Sequence, residues 1–150
     1  MKPPDIHTAA PQHRKAVEIK RIGVLDWGLG GFAFVSKLRQ QGFHQPICYV
    51  SDSGVTPYGK QDEHSLMRRI RQWASWFKSQ SECDLLVIAC NAASSVLPPP
   101  EAPSLVEGFP VVGVIDATIN YLVAGKYDEI ALIGGRRTVE SRIYEEKLAS

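Results

Sequence analysis

The sequence predicts an α/β protein built on a doubly wound parallel sheet. Three observations carry that expectation. Short β-branched runs recur along the chain, stretches long enough for helices separate them, and the runs are almost continuously apolar instead of alternating. Continuous apolar runs suit strands covered on both faces, as happens when crossover helices flank a parallel sheet. With 150 residues, 44% of them hydrophobic, the chain can bury one sizeable core.

The elements follow in order. Residues 1–20, MKPPDIHTAAPQHRKAVEIK, hold no continuous apolar stretch, so they read as a disordered polar arm and not a secretory signal. The first strand is expected at Ile22–Asp26; it runs into a turn holding Gly28, Gly30 and Gly31, after which a helical pattern begins. Ile47–Ser51 is the second strand. Residues 62–80 form the clearest helix, because Leu66, Ile70, Trp73 and Phe77 make one apolar stripe. Asp62 and Glu63 open it and Lys78 closes it, the order that suits the helix dipole. A third strand is expected at 85–89, then a helix from Asn91 that Pro98, Pro99 and Pro100 must stop. The segment PPPEAPSLVEGFP reads as an irregular surface crossover, or as a polyproline partner-binding segment, with a short helix over 101–107. Further strands are expected at 111–115 and 130–133, and a last helix near 138–148.

Composition removes several function classes. A net charge of +1 with 22% charged residues gives no basic field for nucleic acid. No apolar run approaches the roughly 18–20 residues that cross a bilayer, so no membrane partner is expected. Three cysteines without metal-ligand spacing suit a reducing cytoplasm, the expected location. His44 and His64 have no partner at such spacing either, and no metal is expected. Arg68, Arg69 and Arg71 read as a solvated helix face, and Trp73 and Trp76 as core and rim.

Ligands of open parallel sheets bind beyond the carboxyl ends of the strands. There the sequence places Asp26-Trp27-Gly28, Asp52-Ser53, Cys90-Asn91, Asp116-Ala117-Thr118 and Gly134-Gly135. Two carboxylates, a thiol and a primary amide are thus expected to converge on one crevice. The spacing Gly28-x-Gly30-x-x-Ala33, with Asp52 beyond it, also fits a loose dinucleotide fingerprint. Asp26 argues against that reading, because its charge would face a pyrophosphate, and Trp27 adds bulk where the backbone must come close. A carboxylate beside free main-chain N–H groups suits an amino acid gripped at both ends. Cys90, at a strand end and a helix start, is expected to favour thiolate.

In this order, IGVLDWGLGG, TPYGK, VIACNAAS, VVGVID and TVES resemble the amino-terminal half of the aspartate/glutamate racemase family, the glutamate racemases in particular. The resemblance runs over residues 22–148. It implies a cofactor-independent isomerase that supplies D-glutamate for peptidoglycan and so serves cell-wall biogenesis and cell shape. Two cysteines would act from opposite faces of the substrate's α-carbon, Cys90 matching the first. Asp26 would sit beside the catalytic pair. Pro57, Tyr58 and Gly59 match the substrate loop, and Asn91 matches a residue that holds the substrate's polar groups. Trp27 and Ala92 stand where the family has serine and threonine in contact with substrate, and Gly135 where it has threonine. Each hydroxyl lost beside a charged ligand is worth about 1–3 kcal/mol.

The resemblance also implies two lobes, residues 21–116 forming the first and 117–150 opening an incomplete second one. The family's second cysteine comes from a later block. Cys83 lies on the order of 23 Å from Cys90 along an extended strand, and Cys48 is mid-strand. These 150 residues are therefore expected to behave as a truncated racemase, unable to invert glutamate or aspartate alone and prone to self-association, with a homodimer among the expected assemblies. The competing expectation is a non-racemising domain that binds a small carboxylate or a nucleotide in the same crevice.

Overall fold

The computed structural model describes residues 18–99, 102–125, 127 and 129–149. The polar arm expected over 1–20 lies outside the described residues as far as residue 17, as do Pro100 and Glu101 of the proline segment. Four strands form one fully parallel sheet in the order β2-β1-β3-β4: β1 Ile22–Asp26, β2 Ile47–Ser51, β3 Leu85–Ile88 and β4 Val111–Gly113. Strand β1 is buried along its whole length, as its continuous apolar sequence anticipates.

The helices are α1 Gly31–Gln40, α2 Glu63–Ser79, α3 Asn91–Ser94, α4 Val114–Gly125, α5 Arg136–Glu140 and α6 Ile143–Ala149, with a 3₁₀ turn over Tyr58–Lys60. Asp62 caps α2 by accepting the Ser65 N–H at 2.8 Å, and Leu66, Ile70, Ala74 and Phe77 form its buried stripe. Ala74 takes the central place, while Trp73 packs half-buried at the margin. Gly23 allows this close packing, since a Cβ there would lie 2.5 Å from the Phe77 ring. The core joins this stripe to Leu25, Leu86 and Ile88 of the sheet and to Tyr58, Val96 and Phe109. A second, smaller cluster joins Ile115 and Ile119 of α4 to Tyr144 of α6.

Several expected elements differ. The strand expected at 111–115 ends at Gly113, and α4 begins at Val114 and runs on past position 116. No strand forms over 130–133; Ile130, Leu132 and Ile133 are exposed, Ile133 almost fully. An apolar run becomes a strand only with a hydrogen-bonding neighbour, and among the described residues none lies beside it. The short helix expected over 101–107 is replaced by a turn through Gly108, at φ 63°, closed by a bridge between Val106 and Phe109. The last expected helix is two, broken at Arg142, whose φ of 53° no helix accommodates. Among the described residues no helix is long and apolar enough to cross a membrane.

Candidate active site

The sheet order makes a switch point between β1 and β3. The chain leaves β1 toward β2 on one side and returns to β3 on the other, so the turns after β1 and β3 diverge over a shared crevice. Asp26 ends β1, and Cys90 follows β3 by two residues. Their strand ends are joined by the Ala89 N–H, which donates to the Leu25 carbonyl at 2.8 Å.

Asp26 is buried, and its carboxylate accepts two main-chain N–H groups of its own turn. Oδ1 accepts the Trp27 N–H at 2.9 Å and Oδ2 the Gly31 N–H at 3.0 Å. Gly31 must be glycine for this approach, because a Cβ would stand 2.8 Å from the Tyr49 ring. Tyr49 donates its hydroxyl to the Gly28 carbonyl at 2.8 Å and so fixes the turn from β2. Burial raises its pKa, as does the nearby Asp26 charge. Two N–H groups of the glycine turn are therefore committed to a protein carboxylate, which stands where a pyrophosphate would have to sit. The dinucleotide reading of the turn has no support here. Trp27 lies half-buried against the core, its indole N–H donating to the Val55 carbonyl at 2.9 Å.

Cys90 caps α3, its carbonyl accepting the Ser94 N–H at 2.8 Å. Buried Ser94 locks that turn in place. Its hydroxyl donates to the Ile88 carbonyl at 3.0 Å and accepts the Val114 N–H at 3.2 Å, tying α3 to β3 and α4. The expected preference for thiolate is corrected by the surroundings. Burial pushes the Cys90 thiol up; the Ala93 N–H opposes this, the Asp26 charge adds to it, and the Trp27 N–H opposes it again. A helix of four residues has too little aligned dipole to reverse that balance. Cys90 is thus a thiol beside the Asp26 carboxylate with its pKa held above the ordinary value.

The expected convergence of two carboxylates does not form, because Asp52 is occupied elsewhere. Arg69 grips it bidentately, Nε at 2.8 Å and the guanidinium Nη2 at 2.6 Å, and the Tyr58 hydroxyl donates to it at 2.6 Å. Burial raises the Asp52 carboxyl, but the bonds from Arg69 and Tyr58 outweigh it and leave its pKa below the ordinary value. Arg69 is thus not part of the solvated face expected for Arg68 and Arg71; its guanidinium also lies 5.2 Å over the Trp73 ring. Tyr58 is 1% exposed, its hydroxyl is engaged by Asp52, and burial and Asp52 raise its pKa. It anchors the loop that carries half-buried Pro57 and exposed Gly59.

Asn91 is exposed and accepts the Tyr144 hydroxyl on Oδ1 at 2.6 Å. Ala92 is half-buried beside it, packed on the core. Asp116 pairs with Lys147 at 2.7 Å, away from the crevice, and exposed Gly134 and Gly135 lead into α5. Cys83 is buried ahead of β3 with its thiol pushed up to about 11 by burial, and Cys48 contacts Ser81 on β2. Tyr49, Arg69, Ser94 and Tyr144 are the positioning groups that the sequence did not single out. The available signal was strongest for Tyr49, an aromatic two residues before a strand's ligand end.

No family model matches the chain. Glutamate racemase of Campylobacter jejuni subsp. jejuni is 32% identical over 133 residues, a match covering 87% of this chain and 52% of that protein. Among solved structures, the glutamate racemase of Aquifex pyrophilus superposes with a TM-score of 0.76 at 29% identity, covering 86% of this chain and 50% of that one. The glutamate racemase of Francisella tularensis subsp. tularensis in complex with D-glutamate gives 0.73 at 25% identity, with 87% and 48% covered. The chain thus spans about half the length of the relatives it matches, and its mixed α/β parallel sheet is the fold it shares with them.

Proposed function

We propose that this chain is the first, cysteine-bearing lobe of a cofactor-independent amino-acid racemase, acting on glutamate and supplying its D-isomer for cell-wall synthesis. The observation that carries the reading is the pairing of Cys90 with Asp26 at the switch point, together with the likeness to glutamate racemases over that whole region. Residues 117–149 are read as the opening of a second lobe, around the separate cluster of Ile115, Ile119 and Tyr144.

An α-proton is weakly acidic, so its removal needs a close base in a dry site. Burial and the Asp26 charge raise the Cys90 thiol's pKa in the free protein. A substrate whose α-ammonium enters beside Asp26 neutralises that charge and lowers the thiol's pKa when the α-carbon arrives. The thiol gives its proton to water as the substrate enters; the thiolate then takes the α-proton from one face, and the thiol so formed can return it. Substrate thereby switches on its own base. Asn91, the exposed residue that follows Cys90, supplies hydrogen bonds to the substrate's carboxylate.

Cys90 addresses one face of the α-carbon, and Cys48 and Cys83 both stand away from it. The test is the fate of the Cα proton of D- and L-glutamate and of both aspartates in heavy water. The expected result is deuterium incorporation into glutamate that depends on Cys90, without net inversion by this chain alone. No incorporation into any of the four would contradict the proposal and favour a domain that only binds carboxylates.

A further inference from the structure

Tyr144 of α6 reaches back to the residue that follows Cys90. Its hydroxyl donates to Asn91 Oδ1 at 2.6 Å. The platform behind it is firm: Tyr144 is 8% exposed, it packs with Ile115 and Ile119 of α4, and Lys147 one turn on pairs with Asp116 at 2.7 Å. A primary amide has two ends, a carbonyl that accepts and an NH2 that donates, and nothing in Asn91 itself decides which end meets a ligand. Here the carbonyl is occupied by Tyr144, which leaves the NH2 as the end for a ligand. Asn91 is exposed and, with Tyr144, Thr118, Gly134, Gly135 and Thr138, lines a cavity of about 480 Å³.

We infer that Tyr144 is a positioning residue that fixes the Asn91 carboxamide with its N–H donors toward this cavity, and so selects a carboxylate at that end of the ligand. The inference rests on the proposed amino-acid site but concerns a group outside its chemistry. With the hydroxyl gone, the amide is free to turn and present its carbonyl, which repels a carboxylate. The choice of ligand end is then made by α6, an element that never touches the reacting carbon.

Two readouts test it on the full chain, with Tyr144→Phe as the variant because it keeps the ring that fills the cluster. The first needs no ligand: the side-chain ¹⁵N–¹H₂ pair of Asn91, assigned through Asn91→Ala, is followed by NMR. The pair should move in Tyr144→Phe while the amides of β1 and β3 stay in place. An unmoved pair would overturn the inference. The second is D-glutamate affinity by calorimetry. Tyr144→Phe should weaken it by about fivefold to tenfold, the worth of one hydrogen bond. In an Asn91→Ala background the same change should do almost nothing. A bond that only tied α6 to α3 for stability would lower the thermal midpoint of Tyr144→Phe and leave its D-glutamate affinity unchanged, which also overturns the inference. A parent chain that binds no D-glutamate would count against the proposed function, and the Asn91 resonances would still decide the role of Tyr144.

Discussion

Asp26 and Asp52 leave neighbouring strands at the same edge of the sheet, joined by the bond from the Asp52 N–H to the Asp26 carbonyl at 2.9 Å. Both are buried, and by position alone they are equivalent candidates for catalysis. Their partners separate them. Asp52 is gripped by a guanidinium fork and a phenol, which neutralise it and hold the 3₁₀ turn at Tyr58–Lys60 against the core. Asp26 receives main-chain N–H groups and stands beside a thiol whose pKa it raises. A carboxylate satisfied by a cation is a structural anchor. One satisfied only by neutral dipoles leaves a field that a cationic substrate can cancel.

The largest effect is expected at the thiol. Cys90→Ser should keep the fold and lower deuterium incorporation into glutamate by on the order of a hundredfold to ten-thousandfold, the usual worth of one acid–base group. Undiminished exchange in that variant would remove Cys90 from the chemistry. On the other side of the comparison, Asp52→Asn should cost about 2–4 kcal/mol in denaturant unfolding, because it leaves Arg69 half-buried without its partner. The pH dependence follows from the sign. Asp52 is depressed in the folded state, so its stabilisation is present above the unfolded value of about 3.9 and disappears as pH falls through the lower folded value. Asp62 and Asp84 are depressed too, so the informative quantity is the parent-minus-variant difference in thermal midpoint, which should shrink below about pH 4. A difference that stays constant into acid would mean that Asp52 is not the ionised anchor described.

The smallest structural effect belongs to Trp27→Phe, which removes the donor to the Val55 carbonyl while keeping a ring. It should cost about 0.5–1.5 kcal/mol by chemical unfolding. Trp27→Ser is expected to tighten D-glutamate binding by opening the pocket, read by calorimetry. Tight binding by the parent that the serine variant loses would show that Trp27 belongs to the site instead of obstructing it.

What the sequence revealed and what it hid divide along the same line. Strands β1 and β2 and the helix α2 were legible because apolar period and capping are local properties of the chain. The ligand-edge positions of Asp26 and Cys90 were legible because strand ends are. Residues 130–133 read as a strand because composition reports β-branched residues but not a neighbour to pair with. Arg69 hid among Arg68 and Arg71: which of three adjacent cations turns inward depends on the angle at which α2 crosses the sheet, and helical spacing leaves that angle open. The resemblance of TPYGK puts Tyr58 in a substrate loop, whereas its ring is buried in the core and its hydroxyl is held by Asp52. The thiol's protonation was misjudged for a related reason. A helix start is visible in sequence, but α3 is four residues long, and burial and a facing carboxylate are tertiary facts.

The central claim, that Asp26 alone of the two carboxylates governs Cys90, is tested most directly by the pH profile of Cys90 alkylation. The profile should be read by peptide mass spectrometry so that Cys48 and Cys83 are counted separately. Asp26→Asn removes the facing charge and should move the Cys90 midpoint down, so that the thiol reacts faster near neutral pH, while Asp52→Asn should leave the midpoint where it is. A midpoint that Asp26→Asn leaves unmoved, or that Asp52→Asn moves as far, would contradict the account.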